Sequence, residues 1–134
     1  MVTISGRVVR GLGAANQTLR HQLPGLLKVC PELRGCFCGT INVILDCQLE
    51  VISPDHIAGP IDWTGSGNGE LFGLRKILLE IHAGQLVEAW IYIAYGSPHR
   101  SNPYYAEILA PQIELKGGVS NCKIHFAAAR RVLA

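Results

Sequence analysis

Two oxygen-bearing side chains, Thr40 and Asn42, lie two residues apart in the stretch Phe37-Cys38-Gly39-Thr40-Ile41-Asn42-Val43-Ile44-Leu45. Side chains alternate between the faces of a strand, so this spacing puts both on one side. A hydroxyl and an amide carbonyl on one face can share a hard cation such as magnesium, which takes oxygen ligands. From spacing alone the plainer reading comes first, a half-buried strand with two polar residues on its solvent face. A second stretch with chemical possibilities is Gly11-Leu12-Gly13-Ala14-Ala15-Asn16. Two glycines with small neighbours let backbone amides approach a ligand, as in loops that cradle phosphate oxygens. No Gly-Lys-Ser/Thr follows, so it is not a Walker loop, and the third glycine of a dinucleotide fingerprint is missing. A plain glycine turn is the competing reading.

The other reactive residue types form no such constellation. Of the five cysteines, Cys30, Cys36, Cys38 and Cys47 cluster and Cys122 stands apart. An odd number argues against a disulfide framework. The spacing lacks the C-x2-C pairs of a zinc knuckle, so reduced, partly buried thiols are expected. His21, His56, His82 and His125 are scattered, with no pair at metal-ligand spacing.

The chain has 134 residues, 49% hydrophobic and 16% charged, which predicts one folded domain over 1–134. A net charge of +2, without a basic helix or an RNA-binding aromatic signature, predicts no nucleic-acid partner. No apolar run reaches the length of a membrane span, and Met1-Val2-Thr3-Ile4-Ser5 lacks a signal-peptide layout, so a cytoplasmic location is expected. Oligomeric state is not legible.

The elements that must position these residues read as mainly β. Residues 3–9 alternate and predict a strand running into the glycine loop. Residues 18–29 carry leucines at helical spacing, interrupted by Pro24 and Gly25, and predict one short, broken helix. The strand at 40–45 follows, then a short extended piece at 49–52. Residues 54–69, with two prolines and four glycines, predict a long loop around Trp63. Residues 70–82 and 86–95 predict two long strands joined by a hairpin at Ala83-Gly84-Gln85, with a helix over 70–80 as the competitor. Trp90 and Tyr92 share a face and read as core or wall. A loop with His99, Arg100 and Ser101 precedes a strand at 104–109, whose single acid is Glu107, next to Tyr104 and Tyr105. On its own, Glu107 reads as a surface acid on an edge strand. The last strand is 120–126, and the tail 127–134 reads as a loose helix. Six or seven strands with little helix suggest a small closed barrel, which removes exposed sheet edges.

The order of motifs adds a family. An early strand ends in Gly-Leu-Gly, a Gly-Thr-Ile-Asn-Val strand follows about thirty residues later, and Glu-Ile-Leu-Ala-Pro precedes a Leu-Lys-Gly-Gly turn and a final strand. Over most of its length the chain resembles the archaeal CTP-dependent riboflavin kinases. The resemblance implies a six-stranded cradle-loop (riboflavin-kinase-like) β-barrel. It implies transfer of the terminal phosphate of CTP to a ribityl hydroxyl of riboflavin, giving FMN and CDP. By position, Gly11, Leu12, Gly13, Ala14, Ala15 and Asn16 would contact the nucleotide, and the segment from Gln112 would help enclose it. Thr40 and Asn42 would hold Mg2+ near the phosphates. Glu107 would meet the ribityl end of the flavin and act as base on its hydroxyl. The family's flavin-phosphate threonine falls at His99, followed by Arg100 and Ser101.

Three departures accompany the resemblance. The family loop continues with another glycine, where this chain has Ala14-Ala15-Asn16. The family threonine is replaced by His99. The Leu-Arg pair that follows Ala-Pro in the family has no counterpart after Ala110-Pro111. Three functions therefore stand open: a riboflavin kinase using CTP or another nucleotide, a non-catalytic relative that binds a flavin, nucleotide or other small ligand in the same barrel, and a structural or partner-binding barrel with no small ligand.

Overall fold

Alternation over Val2–Val9 builds the first strand, β1. Ile4, Gly6 and Val8 turn to one side, while Thr3, Ser5 and Arg7 turn to solvent. The computed structural model describes residues 1–9, 15–36, 40–49, 52–62, 65, 67, 69–81, 84–95, 102–111 and 121–127. These residues form a helix α1 (Ala15–Val29), a 3-10 turn (Pro31–Gly35), and strands β2 (Ile41–Leu45), β3 (His56–Ile61), β4 (Glu70–Glu80), β5 (Leu86–Ala94), β6 (Tyr105–Leu109) and β7 (Asn121–Phe126). The protein is mainly β, as expected. No helix among the described residues is long and apolar enough to cross a membrane.

The strands form one antiparallel sheet in the order β3-β4-β5-β6-β2-β1-β7. β7 also pairs with β4, so hydrogen bonds run in a ring through β1, β2, β6, β5, β4 and β7. β3 stands outside the ring. The long β4 serves both partners along one edge, with β3 against Glu70 to Leu74 and β7 against Leu78 to Glu80. Inside the ring lies an apolar cluster built from alternate residues such as Val43, Leu79, Ile91, Ile108 and Ile124. The opposite face of β4 and β5 carries a second cluster of Phe72, Leu74, Trp90 and Tyr92, which α1 covers with Leu19 and Leu26. β4 is thus buried on both faces, which is why its sequence reads ambiguously between strand and helix. The hairpin partner β5 settles it: Phe72↔Ala94 through Glu80↔Leu86 are in register, and Gly84 turns the chain at φ 81°.

Four expectations need correction. Residues 56–61 are not loop but β3. Prolines are tolerated in a strand with a free edge, and Gly59 takes φ 111° where the register shifts, with no room for a Cβ against the Glu70 carbonyl at 2.6 Å. The helix begins at Ala15 and continues through Pro24 without a break. An interior proline costs about 3 kcal/mol, and full burial of a leucine returns about 1.5–3 kcal/mol. Leu19 and Leu26 are both buried, so packing wins. Ala15 and Asn16 therefore belong to the first turn of α1 and not to the glycine loop. At the piece expected over 49–52, the described Leu49 and Ile52 are not extended, since the Ile52 N–H donates to the Leu49 carbonyl at 2.9 Å.

Arg75 fastens one side of the ring. It is 8% exposed. Its guanidinium donates to the Ser53 carbonyl at 3.1 Å and to the Ala127 carbonyl, and pairs with Asp55 at 3.3 Å.

Candidate functional site

Register assembles the site. Thr40 precedes β2 and Asn42 lies within it, on the face opposite Val43 and Leu45, which point into the ring. The Thr40 hydroxyl donates to Asn42 Oδ1 at 2.9 Å. Asn42 pairs with Glu107 on β6, and Glu107 pairs with Tyr92 on β5. Directly opposed residues on neighbouring strands have Cβ atoms about 4.5–5.5 Å apart. Asn42, Glu107 and Tyr92 thus form one polar row across three strands, on the outer face where α1 packs.

The row is enclosed. Asn42 and Tyr92 are buried, and Glu107 and Thr40 are half-buried. The Tyr92 phenol donates to Gln22 Oε1 of α1, itself buried. Burial raises the Tyr92 pKa far above the ordinary phenol value, and the negative charges of Glu107 and then Glu70 push it further, so the phenol stays a neutral donor. Tyr105, two residues before Glu107 and on the same face, is also raised, by burial first and by Glu107 second. The Glu107 carboxylate therefore acts electrostatically on two flanking phenols.

The chemistry of the row is oxygen-rich. With bonds of about 2.0–2.1 Å, adjacent corners of a magnesium octahedron stand about 2.9 Å apart, which is the Thr40 Oγ1 to Asn42 Oδ1 separation. The threonine hydroxyl can rotate its proton away to free that lone pair. The pair therefore fits a hard cation, with a carboxylate one strand away to accept a proton. Among the described residues no group of three or more His, Cys, Asp or Glu comes together. The thiols of Cys36 and Cys122 are pushed up to about 11, chiefly by burial, and are poor ligands and nucleophiles.

The sequence-derived candidates divide into three groups. Thr40, Asn42 and Glu107 come together. Ala15 and Asn16 lie in the first turn of α1, whose Gln22 touches the row. Gly11, Leu12, Gly13, Ala14, His99, Arg100, Ser101 and Gln112 fall outside the described residues, as do Trp63 and the tail after Ala127. Sequence reading missed Gln22 and Glu70; its reading of Tyr92 as core or wall agrees with the burial of that ring, though it did not place the phenol in the row. Gln22 had a signal: it is a polar residue on the helix stripe of Leu19 and Leu26. His125 belongs to another wall, where it bonds to Thr3 and Glu80.

No protein-family model matches the chain, and no curated protein matches it either.

Proposed function

We propose that this chain is a riboflavin kinase of the CTP-dependent type, built on a cradle-loop barrel, with Thr40, Asn42 and Glu107 at its reacting centre. The observation that carries the reading is the Asn42–Glu107 register, which sets a cation-competent oxygen pair beside a carboxylate. Phosphoryl transfer needs positioning and charge neutralisation more than covalent chemistry from the protein. Mg2+ supplies that neutralisation when bound, and Thr40 and Asn42 are the residues to hold it. Glu107 orients the ribityl hydroxyl and accepts its proton. The hydroxyl oxygen bonds to the terminal phosphorus of CTP as the bond to CDP breaks, leaving FMN. Backbone amides of Gly11 to Ala14, with those of Ala15 and Asn16 at the helix start, serve the nucleotide phosphates. His99, Arg100 and Ser101 serve the flavin phosphate, and Gln112 helps enclose the nucleotide.

The test is a product assay. The pure protein is incubated with riboflavin, Mg2+ and either CTP or ATP, and FMN is resolved from riboflavin by chromatography. FMN is expected with CTP, and Asn42→Ala is expected to lower its rate by about 10²-fold, the scale of losing one preorganised electrostatic contact. FMN with ATP alone keeps the kinase and reassigns the donor. No FMN with either donor overturns the reading.

A further inference from the structure

We propose that Tyr92 is a positioning residue: through its hydrogen bond to Gln22, it sets where α1, from its first turn at Ala15, stands relative to Asn42 and Glu107. Its catalytic consequence rests on the kinase reading, but the positioning itself does not.

Three observations meet here. Tyr92 is in register with Glu107, which is in register with Asn42, so the ring belongs to the site row. Its phenol donates to Gln22, and both side chains are buried, at 6% and 3% exposed. Around this bond α1 packs through apolar groups: Leu19 and Leu26 share a buried cluster with Ala58, Phe72, Leu74 and Trp90, and Gly25 lies against Ile61 of β3. Apolar packing holds a helix down but is non-directional, so it restrains sliding and rotation weakly. A single buried polar pair selects one register, as buried polar residues do in coiled coils.

Gln22 lies about 10 Å along the helix from Ala15, at 1.5 Å of rise per residue. A rigid helix carries any displacement at Gln22 to its first turn. A misplacement of about 1 Å can cost on the order of 10²-fold in rate, so this bond affects chemistry it does not touch. The phenol suits the task because its surroundings keep it protonated.

Tyr92→Phe removes the hydroxyl and keeps the ring that stacks on Phe72, with centroids 5.6 Å apart. Gln22→Leu removes the acceptor and continues the leucine stripe. Amide hydrogen exchange over 19–29, past the first turn whose N–H groups have no intrahelical partner, is expected to quicken about tenfold in each variant, the ratio one ordinary hydrogen bond is worth. The double variant should show no further gain, and exchange in β5 and β6 should not change. In the FMN assay, KM for CTP should rise about tenfold with KM for riboflavin unchanged. Unchanged exchange over 19–29 in Tyr92→Phe overturns the proposal, and so does uniform quickening across helix and strands with both KM values intact. If the wild-type chain makes no FMN, the kinase reading fails, and the exchange data still decide the role of Tyr92.

Discussion

Glu107 and Glu80 are both strand carboxylates, and their neighbours give them different work. Glu107 is half-buried in the row of Asn42 and Tyr92, and its charge raises the pKa of the Tyr92 and Tyr105 phenols. Glu80 is engaged on the far wall. Its Oε1 is 3.0 Å from His125 Nε2, and its Oε2 accepts the Gly84 N–H at 3.3 Å. The other nitrogen of His125 lies 2.8 Å from the Thr3 hydroxyl. The bond to His125, then that to Gly84, holds the Glu80 carboxyl below its ordinary value. A folded-state pKa below the unfolded one stabilises the protein above the ordinary carboxylate range, and that contribution fades as pH falls through the folded value. Glu80→Gln should therefore lower Tm near neutral pH, and its gap to wild type should close as pH drops below the carboxylate range. Melting curves across that interval check this, and a gap independent of pH contradicts it.

Among the elements, β1 and β2 leave no room beside Gly6, which is in register with Leu45 and has the Val43 side chain against its inward side. A Cβ on Gly6 would meet Val43 Cγ1 at 2.6 Å and the Ile44 carbonyl at 3.1 Å, and backbone cannot rotate away. Alanine relieves the entropic cost of a strand glycine, roughly 0.5–1 kcal/mol, but overpacking costs about 1–3 kcal/mol. Gly6→Ala should be net destabilising, read as a lower urea midpoint with an unchanged slope; a raised midpoint contradicts the packing described. The sequence shows that Gly6 points inward with Ile4 and Val8, but not what it meets. The same limit explains what else was legible. Alternation reveals β1, β2, β6 and β7 because each has one apolar face, and Gly84 marks the β4–β5 hairpin. β3 stays hidden because Ala58-Gly59-Pro60 prefers a turn locally, and only the free edge of β4 makes it a strand. α1 looks broken because its burial under Leu19 and Leu26 is a tertiary fact. Thr40 and Asn42 are legible from a two-residue spacing. Their meeting with Glu107 depends on β6 lying next to β2, and Gln22 reaches Tyr92 only through helix docking.

At the scale of the whole molecule, two buried clusters divide the labour. The ring encloses an apolar interior, with Arg75 fastened at one side to Ser53, Asp55 and Ala127. The polar row lies outside that interior, across β2, β6 and β5, and meets α1 at the Tyr92–Gln22 bond. A site on strands holds its groups more closely than one on loops, and the ring separates the Glu107 row from the Glu80–His125 chain. These two carboxylates therefore provide an internal comparison for the central claim, that phosphoryl transfer occurs at the Asn42–Glu107 row. The most direct measurement is kcat/KM for FMN formation from riboflavin and CTP in wild type, Glu107→Gln and Glu80→Gln, each checked for an intact fold. Loss of a general base predicts a fall of about 10²–10⁴-fold in Glu107→Gln, with Glu80→Gln equal to wild type at neutral pH. Equal rates in Glu107→Gln and wild type would contradict the account.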